Sequence, residues 1–403
     1  MAIKPSIPFL PACGSWLYGV RPLYVKASAL TEDDLSALEG SAYDDGYDCV
    51  RVAIPADDTA TAALLETEYA HAAGLAADGQ QCFELTLGDC PILPSPMQPA
   101  YRYGDMTPWG GDRLGSLFGK DIPDSRTGEA LEISAIPGLE STSPFGETLT
   151  QLIDWHQEAL TGLPGDEPFP LLLKLLCAKG SLSVQVHPND EYAKKHEKKL
   201  GKTEAWVILH AEENASILYG IEEGVTLEQL SLALTAGEDI EPMIHRVSVK
   251  AGDVFYMPSG MVHAIGGGIV LYEIQQSSDV TYRLWDFNRV NAKGEKRPLH
   301  IRQSLDVIDP ALKGLRTRMP EGGHGVTRLL DVPNFKLDCA CVDGQLPLEK
   351  RNGFVMLTPI NDLLLCWQGG EVAVKAGQSV LLPASCPAVS LKGTGRALMS
   401  AVC

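Results

Sequence analysis

The chain has 403 residues, 45% hydrophobic and 21% charged, enough for two or three packed domains of a globular protein. Its formal net charge of -19 excludes a nucleic-acid or anionic-membrane partner, since both select clustered Lys and Arg, and no stretch reaches the ~20 apolar residues of a membrane helix. Any anionic substrate must therefore meet a local basic pocket. Ten cysteines, without a C-x-x-C or an even framework, fit free thiols in a reducing cytoplasm. Met1 to Val20 is a poor signal-peptide core, because Pro5, Pro8 and Pro11 break its apolar run, and the stretch before Leu10-Pro11-Ala12-Cys13 is too short for a lipoprotein leader.

Residues 1 to about 95 read as a small α/β accessory domain. Leu23 to Ala27 and Cys49 to Ile54 predict strands, with a helix between them that starts at an N-cap, Thr31. A second helix is expected over Asp58 to Ala77, then a strand over Cys82 to Leu87. Pro91 to Pro99, rich in proline, predicts a linker. The domain shows no metal-like spacing, which leaves oligomerisation or docking as its expected role, with a homo-oligomer as the expected assembly.

From Pro108 onward, short apolar strands separated by Gly and Pro turns favour an all-β barrel or sandwich, with helices only at about 144–161, 189–199 and 226–236. Val249-Lys250-Ala251-Gly252, five residues and Pro258 recur as Val374-Lys375-Ala376-Gly377, five residues and Pro383, an offset of 374 − 249 = 125. The expected fold is mainly β: tandem barrels, 96–324 and 325–403, behind the small α/β domain. In that register His263 falls on Ala388, so the second barrel is expected to be metal-free and to serve packing.

In Ser183-Val184-Gln185-Val186-His187, polar and apolar residues alternate, so Ser183, Gln185 and His187 share one strand face. Lys202 and Glu204 stand two apart at the start of the apolar run Ala205 to Leu209. His263 follows a strand, Val254 to Met257, and the turn Pro258-Ser259-Gly260. Polar groups inside a barrel need partners, and a divalent ion satisfies several at once. Gln185, His187, Glu204 and His263 suit Zn²⁺ with an open position, while Fe²⁺, Mn²⁺ and Co²⁺ accept the same donors. Taken singly, each of these residues is more often a satisfied core residue; four on three consecutive predicted strands favour the metal.

Gly268 to Asp286 predicts a β-hairpin around Ser277 to Asp279, which sets Glu273 opposite Arg283 with Cβ atoms about 5 Å apart. A surface ion pair is the bland alternative, worth about 0–1 kcal/mol.

Trp109-Gly-Gly111, Gly128-Glu129 with Glu132-Ile-Ser134, Leu182 to Pro188, Gly201-Lys-Thr-Glu204, Pro258 to Ala264 and Tyr272 to Asp286, in that order, closely resemble the class I mannose-6-phosphate isomerases, zinc enzymes of the cupin superfamily. Leu131 departs from the Trp expected there, residues 1 to about 95 match nothing in the family, and the absence of a long helical insertion points to the shorter bacterial type. The resemblance implies a metal held by Gln185, His187, Glu204 and His263, and a substrate pocket of Lys174, Ser183, Lys202, Glu273 and Arg283. It implies interconversion of mannose 6-phosphate and fructose 6-phosphate through an enediolate. In that reaction Arg283, Glu273 and Lys202 would be catalytic, and Lys174 and Ser183 would bind a phosphorylated hexose. The competing readings are a cupin oxidoreductase, which usually wants more imidazole and fewer lysines, and a sugar-binding regulator without turnover.

Overall fold

The structure is a computed structural model and describes residues 22–44, 49–67, 71–75, 80–86, 94–144, 146–165, 167–290, 293–367 and 370–403. The leader readings on Met1 to Val20 lie outside the described residues. Among the described residues no helix is long and apolar enough to cross a membrane.

The N-terminal unit is a four-stranded sheet in the order Pro22–Lys26, Cys49–Ile54, Gln81–Thr86, His71–Leu75. Its first two strands are parallel and joined through the helix Glu32–Asp44, whose first turn is capped by Thr31 Oγ1 accepting from the Asp34 amide. Val25, Leu35, Val50, Val52, Leu65 and Phe83 form a core of its own. Among the described residues, the helix expected over Asp58 to Ala77 covers Thr59–Thr67. His71–Leu75 is instead a strand, with Ala72 opposite Phe83. Gly74 costs a helix about 1 kcal/mol, and pairing on the edge of the Gln81–Thr86 strand outweighs what propensity remains.

The first barrel is made of two facing sheets. Seven strands run in the order Leu315–Arg318, Asp253–Met257, Glu204–Ala211, Ile269–Gln276, Leu171–Ala178, Thr127–Ile133, Ala100–Tyr103. Five more run Ile244–Ser248, Ser216–Ile221, His263–Ile265, Val184–Val186, Tyr282–Trp285. Leu176, Trp206, Phe255 and Leu271 meet Ile217 and Ile265 between them. Behind the smaller sheet, Val184, Val186 and Leu284 pack on Leu230 and Leu234 of the helix Leu227–Ala236. That helix begins with a capping box between Thr226 and Gln229, close to its predicted start. The short helices Arg113–Phe118 and Ile301–Val307 are additions that the sequence pattern did not mark.

The second barrel, mostly residues 325–401, is an eight-stranded antiparallel sheet folded on itself around Ala340, Leu357, Leu365, Val380 and Leu391. The repeated segments have matching geometry. Gly252 and Gly377 turn at φ +91° and +75°, and in each copy the residue after the glycine, Asp253 or Gln378, accepts a hydrogen bond from the lysine amide. The largest core cluster joins the barrels: Leu173, Leu175, Val254 and Tyr272 pack with Phe335, Leu337, Met356 and Leu398. Both faces of Leu171–Ala178 are thereby buried, which explains its nearly unbroken apolar sequence.

The expected linker is partly structural. Ser95–Pro96 is a strand paired with Leu381 and Val380, and the Met97 amide donates to Ser379 O at 2.9 Å. Proline is tolerated because the strand lies at the sheet edge, where its missing N–H costs no ladder bond. A division between residues 95 and 96 would cut this strand. Met97, 1% exposed, is a peg in the shared core, so Met97→Ala is expected to destabilise by about 2–5 kcal/mol, read as a lowered unfolding midpoint. An unchanged midpoint would show that the segment is only draped on the barrel.

Candidate metal centre and substrate cavity

Gln185 is the central residue of the strand Val184–Val186, in register with His263 on one side and Arg283 on the other. His187 follows two residues on, on the same face, while Val184 and Val186 point into the core behind. Glu204 arrives from the larger sheet, where it pairs with Met257 and Gln275. The two sheets thus converge on one point. Ligand atoms of His187, Glu204 and His263 lie within 4.8 Å of one another, and all three residues are buried. Glu204 Oε1 is 3.2 Å from His263 Nε2, Glu204 Oε2 is 3.4 Å from His187 Nε2, and the Gln185 amide end is 3.4 Å from His263 Nε2.

Backbone carbonyls fix both imidazoles. Val280 O lies 2.9 Å from His187 Nδ1, and Met261 O lies 2.9 Å from His263 Nδ1. A carbonyl only accepts, so each Nδ1 carries the proton and each Nε2 presents its lone pair to the centre, the tautomer that a metal needs. Burial, followed by the charge of Lys202, holds the His187 pKa well below the usual imidazole range, which keeps it neutral. For Glu204 burial opposes ionisation, but Lys202, His187 and His263 together hold its pKa well below the carboxylate range. Although Lys202 Nζ stands 2.7 Å from Glu204 Oε2, neither carboxylate oxygen meets hydrogen-bond geometry. A buried carboxylate, two Nε2 atoms turned toward it and an amide that can turn its oxygen inward fit a divalent cation.

Above this centre opens a cavity of about 280 Å³, lined by Lys174, Ser183, Gln185, Lys202, Glu273 and Arg283. The residues nominated from sequence therefore meet in one place. The hairpin does not form. Glu273 pairs with Lys174 and Trp206 in the larger sheet, and Arg283 belongs to the smaller one. Between them the chain crosses from sheet to sheet, because Gln275 Nε2 donates to Ser278 O and Gln276 Oε1 accepts from the Thr203 amide, which ties the turn to the larger sheet. Glu273 and Arg283 face each other across the cavity rather than across a ladder.

Glu273 accepts from Trp206 Nε1 at 2.8 Å and lies 3.3 Å from Lys174 Nζ; burial, then the neighbouring Glu204, raises its pKa. Lys174 also lies 3.6 Å from Glu129, which Arg102 holds at 3.2 Å. For Lys202, burial works against the charge, but Glu204 and Glu273 outweigh it and raise its pKa. Arg283 Nε donates to Ser183 Oγ at 3.3 Å and Nη1 to Pro298 O at 2.9 Å. Burial and then Arg297 lower its pKa.

Sequence reasoning missed Arg102 and Arg297 as cavity residues. Arg297 is held by Asp286, from Nε to Oδ2 at 2.7 Å and Nη2 to Oδ1 at 2.5 Å. Glu129 was visible only as part of a motif. Arg102 carried no local signal, since its strand is marked neither by alternation nor by a motif.

If these four side chains hold a metal, His263→Ala should weaken zinc affinity by more than the 10–100-fold typical of losing an outer-shell partner, measured by competition with a zinc indicator. Affinity equal to that of the unaltered chain would move the site elsewhere.

Residues 103–203 match the family model for the catalytic domain of type I phosphomannose isomerase. The chain is 39% identical over 296 residues to mannose-6-phosphate isomerase of Streptococcus mutans, covering 68% of this chain and 88% of that protein. It is 39% identical over 301 residues to mannose-6-phosphate isomerase of Bacillus subtilis, covering 72% and 94%. Among solved structures, mannose 6-phosphate isomerase from Bacillus subtilis superposes with a TM-score of 0.70 at 34% identity, covering 76% of this chain and 99% of that one. A point mutant of phosphomannose isomerase from Salmonella typhimurium shares the fold, with a TM-score of 0.62 at 17% identity over 76% and 99% of the two chains. With its barrels, its converging His187, Glu204 and His263 and relatives matched over most of their length, this chain belongs to the type I phosphomannose isomerase family.

Proposed function

We propose that this chain interconverts mannose 6-phosphate and fructose 6-phosphate, with one Zn²⁺ held by Gln185, His187, Glu204 and His263. The observation that carries the reading is a cavity that sets a buried carboxylate, Glu273, and a guanidinium, Arg283, on opposite walls above a metal-competent centre. Moving a proton between C1 and C2 of a sugar needs a base, and the oxygen that gains negative charge needs a cation. When bound, the metal supplies Lewis-acid polarisation of the sugar oxygens and a template for orienting them.

Glu273 is the base in this reading. Its raised pKa brings it nearer to the working pH, and the bond from Trp206 Nε1 holds its carboxylate in place. Arg283 faces the developing enediolate charge. The Lys202 ammonium moves protons between the oxygens. Ser183 binds a hydroxyl and steadies Arg283. Lys174, balanced between Glu129 and Glu273, lines the sugar wall, while Arg297 at the outer end takes the phosphate. This arrangement gives a chain of net charge -19 a local basic pocket. Cys177, Cys339, Cys341, Cys366, Cys386 and Cys403 are free thiols, which suits a reducing compartment such as the cytoplasm. The unit before residue 94 is assigned to docking or self-association.

A coupled assay with mannose 6-phosphate tests the activity: turnover should vanish on chelation and return with Zn²⁺. Arg283→Ala should lower kcat and kcat/KM together by about 10²–10³-fold, with little rescue by Lys, whose compact ammonium cannot copy a planar fork. Arg297→Ala should chiefly raise KM. Metal content is measured in each variant, and an Arg283→Ala enzyme with near-normal kcat and raised KM would make Arg283 a phosphate anchor.

The base assignment has a pH signature. Glu273 acts only when ionised, so kcat/KM should fall as pH drops through its raised pKa, placing the acid limb above the ordinary glutamate value of about 4.3. An acid limb at or below that value would remove Glu273 from the role.

A further inference from the structure

Arg283 sits on the strand Tyr282–Trp285, the outermost strand of the five-stranded sheet, and the register slips between Arg283 and Trp285. An irregularity so placed helps to decide where the neighbouring side chain points. On an edge strand the main-chain groups of alternate residues face away from the sheet and need other partners. For Arg283 both partners belong to one residue, His300. The His300 amide donates to Arg283 O at 2.8 Å, and the Arg283 amide donates to His300 Nδ1 at 3.1 Å. His300 stands at the N-cap of the helix Ile301–Val307, where its carbonyl accepts from the Ser304 amide, but its imidazole turns to the strand instead of capping that helix. Two residues earlier, Pro298 O accepts from Arg283 Nη1 at 2.9 Å. One segment, anchored to a helix, thus grips Arg283 by its backbone and by its guanidinium.

We propose that His300, half-buried and outside the lining of the catalytic cavity, is a positioning residue for Arg283, and that it works as the neutral imidazole protonated on Nε2. The tautomer follows from the partner: an amide N–H only donates, so Nδ1 must offer its lone pair. Burial, then the charge of Arg283, lower the His300 pKa and oppose a second proton, while Glu197 acts the other way. His300 fixes the Cα of Arg283 beside the register slip, and hence the point from which the guanidinium reaches the cavity. Its effect on rate rests on the isomerase reading; the hydrogen bond does not.

Asparagine carries Oδ1 where histidine carries Nδ1, so His300→Asn keeps the acceptor and His300→Ala removes it. In the zinc-loaded, full-length enzyme His300→Ala should lower kcat by about 10–100-fold, as misplacing a catalytic group does, with KM for mannose 6-phosphate changed by less than about two-fold. His300→Asn should restore most of that loss. Introduced into Arg283→Ala, His300→Ala should cost no more than about two-fold further, because the group through which it acts is gone. Equal losses in the two backgrounds, or an Asn variant as poor as Ala, would make His300 a structural residue of the sheet edge, and an Ala variant with unchanged kcat overturns the role outright. If the unaltered chain does not turn over mannose 6-phosphate, it is the isomerase reading that fails, and NMR of the His300 ring nitrogens still decides the bond. There the proton should be on Nε2, and a proton on Nδ1 overturns the assignment.

Discussion

Everything at the centre depends on two protons. Because Val280 O and Met261 O each claim an imidazole Nδ1–H, the two Nε2 lone pairs are aimed inward before any ligand arrives. Those carbonyls are themselves placed by the fold. Val280 lies in the crossover that leaves the larger sheet, and Met261 lies in the turn that precedes the strand His263–Ile265. The ligand strands set where the imidazoles are, and the loops set which nitrogen faces in. A barrel with the same strands and different loop carbonyls would hold the wrong tautomer.

Charge is arranged in layers above that centre. Glu129, Glu204 and Glu273 are buried together, and like charges so close would force protons onto some of them without the two interleaved ammonium groups of Lys174 and Lys202. The ammonium groups gain in turn from the carboxylates, which is why Lys202 stays charged although it is buried. Neither set is stable alone. Toward the mouth Arg283 and Arg297 stand close, and Asp286 serves Arg289 as well as Arg297.

The sequence made legible what alternation and spacing encode. Ser183, Gln185 and His187 had to share a face, Lys202 and Glu204 had to share another, and the repeated Lys-Ala-Gly turns had to build similar corners. What it hid was partnership at a distance. Glu273 and Arg283 looked like hairpin partners because they are near in sequence, but side-chain bonds from Gln275 and Gln276 carry the chain to another sheet, and no local pattern records that. Ser95 and Pro96 looked like a linker because proline usually marks one, and their strand partners lie near residue 380. Arg102 and Arg297 belong to the same class, since each gains its place from a carboxylate that the sequence does not mark as its neighbour.

The pairing of Ser95–Pro96 with Val380–Leu382 also orders events in time. On the ribosome, the residues of the catalytic barrel emerge well before Phe335–Pro347 and Val389–Ala401, which bring Phe335, Leu337, Cys339, Cys341 and Leu398 to the largest core. The first barrel must therefore wait, with one face of its seven-stranded sheet bare, until the last strand is made. Contacts so distant in sequence are slow to close. For this protein the C-terminal barrel is a latch as well as a support, and a chain that stops short of its final strand leaves the catalytic barrel with an open apolar face.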